Sequence, residues 1–179
     1  DKEYVGNIMP QKERDIVLFI NAVRGATFKA LEDHEKRTGK KLTPVVLVDK
    51  KIQKSITERN AQKGHLDKVA YIAADFDSPT SIREAIHEYE DRLYAVTSQY
   101  ENSIHELKKL VPYLPYMPLP TQSSLEWASE KKHMRDMMQS YDKTLVPGYM
   151  LAEDDSDATI KDIEKHLEYP VVVKPSGLE

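Results

Sequence analysis

The chain has 179 residues, 40% hydrophobic and 31% charged, with a formal net charge of −4; that length can bury a core of its own. The acidic balance, without any Lys/Arg block interleaved with aromatics, argues against nucleic acid as a partner. The absence of cysteine excludes a disulfide framework, a thiolate metal site and a cysteine nucleophile.

Residues 1–14 are polar and aperiodic, a lead-in. From Asp15 to Ile20 a continuous apolar run predicts a strand buried on both faces. The turn Asn21–Thr27 follows, then a helix with Phe28 and Leu31 on one side and Gly39 as its stop. Leu42 to Val48 is a second predicted strand, with Pro44 near its start, and Lys50 to Lys68 is polar with weak helical character. A third strand is expected over Lys68–Ala73, and Ser78-Pro79 is the signature of an N-cap followed by the first helical position. Ile82, Ala85, Ile86 and Tyr89 share that helix's inner face. Leu93–Thr97 is a fourth strand, leading to a helix with Ile104, Leu107, Leu110 and Val111.

Strand–helix alternation of this kind predicts an α/β, Rossmann-like domain over residues 15–111, a parallel sheet flanked by helices. Such sheets take ligands at the carboxyl ends of their strands. That rim would hold Asn21–Thr27, Asp49, Asp75–Asp77 and Ser98–Glu101. The single glycine of Asn21–Thr27 does not make a dinucleotide fingerprint. Four prolines between Pro112 and Pro120 mark residues 112–122 as a semi-rigid linker. In residues 123–179, Leu125, Ala128, Met134, Met137, Met138 and Tyr141 trace a helix face, and Tyr149–Leu151 is a candidate strand. Asp154-Asp155-Ser156-Asp157 reads as a polar turn in which Ser156 or Asp157 caps a helix over Asp157–Glu168, and Val171–Val173 as a final buried strand. The six histidines show no metal-ligand spacing, so no metal site is expected within the chain. No apolar run reaches the ~20 residues of a membrane span, and no signal-peptide core is present. A cytoplasmic protein without membrane contact is expected.

Glu130-Lys131-x-x-Met134-Arg135, then Val146-Pro147, then Pro170-Val171-Val172-Val173-Lys174-Pro175, resembles the opening of an ATP-grasp domain. The α/β domain ahead of it is similar to the pre-ATP-grasp domain of such enzymes. The resemblance implies the front part of an ATP-dependent ligase, of the peptide-type or carbamoyl phosphate synthase-like kind. Such enzymes join a carboxylate to an amine through an acyl phosphate, with ADP and phosphate released. Residues 123–179 would be the incomplete α+β start of the ATP-binding domain. Lys131 would approach the ATP phosphates from a helix start, with Lys132 as the adjacent alternative, and Lys174 from a strand end. Ser176 and Gly177 would open the loop over the phosphates. Fixed cations suit this chemistry because an anionic carboxylate must meet an anionic γ-phosphate.

By the same resemblance Arg24 would clamp a substrate carboxylate and Glu101 contact an amine. The cofactors implied are ATP and Mg²⁺. Magnesium ligands would lie beyond this chain, which by itself is expected to be inactive. Tyr169 departs from the family pattern, which often has glycine before that proline. No catalytic residue is assigned, and a homodimer stays open. Two other readings also stay open. One is a non-enzymatic α/β ligand-binding or docking domain, and the other a flavodoxin-like regulatory or transferase domain using Asp49, Asp75 and Asp77.

Overall fold

The computed structural model describes residues 14–62, 64 and 68–174. They form two compact units, one running to Gln122 and one starting at Ser123. The first contains a four-stranded, all-parallel sheet of β1 (Ile16–Ile20), β2 (Thr43–Asp49), β3 (Ala70–Ala74) and β4 (Leu93–Thr97), in the order β3-β2-β1-β4. Around it run the helices α1 (Gly25–Thr38), α2 (Gln53–Gln62), α3 (Pro79–His87) and α4 (Ile104–Leu110).

The two faces of the sheet follow from side-chain alternation. Val17, Phe19, Val46 and Val48 point one way, into a cluster with Val23, Leu42, Ile56 and Val69, against which Phe28 and Leu31 of α1 pack. The alternate residues, Ile16, Leu18, Ile20, Val45 and Leu47, are just as buried, as are Ile82 and Ile86 of α3. A central strand covered on both faces has no polar side to present, which is why β1 reads as an unbroken apolar run. Phe28 and Leu31 of α1 and Ile56 of α2 belong to the first cluster, Ile82 and Ile86 of α3 do not, and after α3 the chain returns past β1 to add β4.

Local chemistry sets the boundaries. Gly39 adopts the left-handed conformation (φ 69°) that closes α1, and its N–H bonds the Glu35 carbonyl at 2.8 Å. Ser78 caps α3 by accepting from the Ser81 N–H, with Pro79 at the first helical position. Asp15, just ahead of β1, takes both Nε (2.9 Å) and Nη2 (2.7 Å) of Arg92, just ahead of β4. This bidentate pair holds the Asp15 carboxyl below its ordinary range. In the proline-rich stretch Val111–Tyr113 makes a 3₁₀ turn, and Leu114 and Met117 are buried within the first unit.

The second unit differs from expectation. Its described residues form three helices, α5 (beginning at Gln122 and ending at Ser129), α6 (Lys131–Tyr141) and α7 (Asp157–His166). They contain no strand, so the expected α+β character is not seen among them. Val171–Val173 is not a buried strand: Val172 is 78% and Val173 88% exposed. Tyr149–Leu151 is likewise irregular. β-branched residues suit a pleated surface, but a strand forms only against a partner ladder, and no described residue provides one here. The single helix face expected through Leu125–Tyr141 is broken at Glu130, whose backbone is extended (φ −99°, ψ 100°). Just before the break the Ser129 hydroxyl bonds the Glu126 carbonyl, a contact that competes with helix continuation.

Ser156 caps α7, accepting from the Thr159 N–H at 3.3 Å. Tyr149 donates its hydroxyl to Asp136 of α6 while its ring lies under Arg135, 5.4 Å from the guanidinium. Gly148 packs closely on Leu167: an added Cβ would come within 3.2 Å of the end of that side chain, which would have to shift by a few tenths of an ångström. No described helix is long and apolar enough to cross a membrane.

Candidate functional site at the β1/β4 switch point

The strand order reverses direction beside β1: the chain adds β2 and β3 on one side, then β4 on the other. Where a doubly wound sheet reverses, the loops after the two neighbouring strands part and leave a crevice at their carboxyl ends. Here those loops begin at Asn21 and Ser98.

Asn21 is the hinge of the first loop. It is 5% exposed and sits at φ 61°, a left-handed conformation that asparagine tolerates better than most residues. Its backbone N–H bonds Leu47 O of β2 at 2.8 Å. The side-chain oxygen accepts the Asp49 N–H at 3.0 Å, and the amide nitrogen faces Ser103 Oγ at 3.4 Å. One buried side chain therefore ties the ends of β1 and β2 to the segment after β4. The turn it makes returns Val23 to the core and leaves Arg24 exposed.

Arg24 is the N-cap of α1, and its own side chain makes no capping bond. The loop after β4 performs that task. Gln99 Oε1 accepts the Arg24 N–H at 2.7 Å, and Gln99 Nε2 donates to Thr27 Oγ1 at 2.7 Å. The Arg24 guanidinium is thereby free to lie over the Tyr100 ring, 5.0 Å from its centroid. No acid occupies the first turn of α1, and no carboxylate pairs with Arg24 among the described residues. A helix N-terminus and a guanidinium without an acidic partner both favour an anion. Glu101 opens the adjoining 3₁₀ turn Glu101–Ser103, exposed and one residue from Tyr100.

The acids elsewhere on the rim have other work. Asp49 Oδ1 accepts the Lys51 N–H, and Asp75 Oδ1 accepts the Asp77 N–H. Asp77 binds the ammonium groups of Lys109 (2.6 Å) and Lys51. The hydrogen bond from Lys109, then that from Lys51, lowers the Asp77 carboxyl to about 2. Among the described residues no group of three or more histidines and acids is arranged to hold a metal ion.

In the second unit Lys131 is the first residue of α6 and half-buried, with no acid in that first turn. Lys132 is engaged with Asp136 at 2.6 Å, so of the two neighbours it is Lys131 that has no ion pair among the described residues. Lys174 is exposed in an irregular segment, not at the end of a strand. Ser176 and Gly177 lie outside the described residues. The residues that sequence reasoning left without a role are Asn21, Gln99 and Ser103. An asparagine directly after a buried strand was the available signal for the first. Nothing local announces that Gln99 caps a helix seventy-odd residues earlier.

No family model, no curated protein and no solved structure matches the chain.

Proposed function

We propose that this chain is the amino-terminal part of an ATP-dependent carboxylate–amine ligase of the ATP-grasp type, in which the β1/β4 crevice takes the carboxylate substrate. One observation carries the reading. At the topological switch point, Arg24 stands at the N-terminus of α1 without an acidic partner among the described residues, its backbone N–H held by Gln99. A carboxylate there gains both the guanidinium and the helix end. Lys131 repeats the arrangement on a smaller scale, a basic residue opening a helix with no acid in its first turn. That suits a phosphate, and the ordered motif through Lys174 supports the same assignment.

In the chemistry proposed, a carboxylate oxygen attacks the γ-phosphorus and ADP departs. The amine nitrogen then attacks the acyl carbon, loses its proton and expels phosphate. The chain's own groups hold and neutralise the reacting anions. Mg²⁺ finds no cradle among the described residues, because Asp49, Asp75 and Asp77 are committed to lysines and backbone amides.

A second reading, a ligand-binding domain without catalysis, is favoured by the exposure of Val172, Val173 and Lys174, which leaves the second lysine without a rigid base. Titration calorimetry with MgATP and with acetate separates the two. The ligase reading expects MgATP affinity to fall about tenfold in Lys131→Ala and in Lys174→Ala, the loss of a charge-assisted contact. Acetate affinity should fall only in Arg24→Ala. Acetate binding that needs Arg24, alongside MgATP binding indifferent to both lysines, hands the chain to the second reading.

A further inference from the structure

Within the first unit, away from the crevice, the last turn of α3 and the 3₁₀ turn Val111–Tyr113 enclose a groove of about 610 Å³. One wall is apolar, made of Pro112, Tyr113 and Pro115; the other carries Arg83, Glu84, His87 and Glu88, with Glu90 at the end, so three acids outnumber one fixed cation there. We propose that this groove docks a basic, extended peptide segment, with an Arg or Lys side chain seated between Glu84 and Glu88.

Three observations converge on that occupant. The acids are placed where the fold disfavours them. Glu84 and Glu88 are four residues apart on one helix face, where like charges repel. Glu84 lies in the second half of α3 and Glu88 is its C-cap, where the macrodipole opposes negative charge. Neither has an ion-pair partner among the described residues, so helix stability does not account for them. The aromatic wall has the chemistry that a guanidinium meets, because the chain's own Arg83 lies 5.3 Å from the Tyr113 ring centroid and leaves the acids to receive an incoming cation. The groove is an open trough whose charged residues are mostly exposed. That suits a chain passing through it better than a small molecule, which pockets enclose on most sides.

The test is fluorescence anisotropy with fluorescein-labelled hexa-arginine at physiological ionic strength, on the whole chain and two charge-matched variants. Glu84→Gln/Glu88→Gln should weaken binding about tenfold, the size of two partly exposed charge contacts. Asp155→Asn/Glu164→Gln removes as much charge from the second unit and should leave affinity unchanged. The Glu84→Gln/Glu88→Gln protein should also melt slightly higher than the parent, because the repulsion is relieved. Equal losses in the two variants would mean diffuse attraction to an acidic protein and overturn the proposal. So would no binding, or binding untouched by the groove substitutions. Arg24, Lys131 and Lys174 take no part, so the result is independent of the ligase reading.

Discussion

Val45-Val46-Leu47-Val48 and Val171-Val172-Val173 are nearly the same text with opposite fates. The first is completely buried in β2, between β1 and β3; in the second, Val172 and Val173 are largely exposed and paired with nothing described. A β-branched run states that a segment can lie in a sheet, and only neighbouring strands make it do so. The two units differ in the same way. The first has a parallel sheet whose strands bury side chains on both faces, whereas no residue of α6 or α7 is fully buried.

The sharpest way to break this contrast is to truncate one side chain on each side of it. Leu18 is 0% exposed at the centre of β1, and Leu18→Ala should cost about 2–5 kcal/mol in chemical denaturation. Val172→Ala should change stability by less than about 0.5 kcal/mol. A large loss from Val172→Ala would mean that the segment is packed after all.

Asn21 comes next. Asn21→Ala leaves the Asp49 N–H without its acceptor and puts alanine at positive φ, at an expected cost of about 2 kcal/mol. Asn21→Gly relieves the backbone part and should recover about half of that loss. If the two variants are equally unstable, the conformation is not what asparagine is there to support.

Ser78→Ala removes the side-chain cap of α3 and should cost about 1 kcal/mol. The smallest effect is in pH. The carboxyls of Asp15 and Asp77 are both held below their unfolded values, so each stabilises the fold above that value, about 3.9. Their contribution is lost as pH falls through the folded values, and for Asp77 the window runs from about 4 to about 2. Acid titration of Asp77→Asn should therefore show a shallower loss of stability in that window than the parent, with little difference at neutral pH.

Much of the first unit was legible because its signals are local. The continuous apolar run of β1, the Ser78-Pro79 start of α3 and the Gly39 stop of α1 each encode their element within a few residues. Fourfold strand–helix alternation was enough to place Asn21–Thr27 and Ser98–Glu101 on one rim. What the sequence could not express was pairing over distance. Gln99 reaches the start of α1, and Asn21 joins β2 and Ser103, through contacts that leave no periodicity behind. Lys131 and Lys174 were legible only as a motif, and a motif carries no statement of whether its last strand has a partner.

The reading of the crevice as a carboxylate site is tested most directly by an amide NMR titration of the chain with acetate, in the parent and in Arg24→Ala. The account predicts saturable shifts confined to Arg24–Thr27 and Ser98–Glu101, lost in Arg24→Ala while the rest of the spectrum keeps its dispersion. Shifts elsewhere, or shifts that survive removal of the guanidinium, would contradict it.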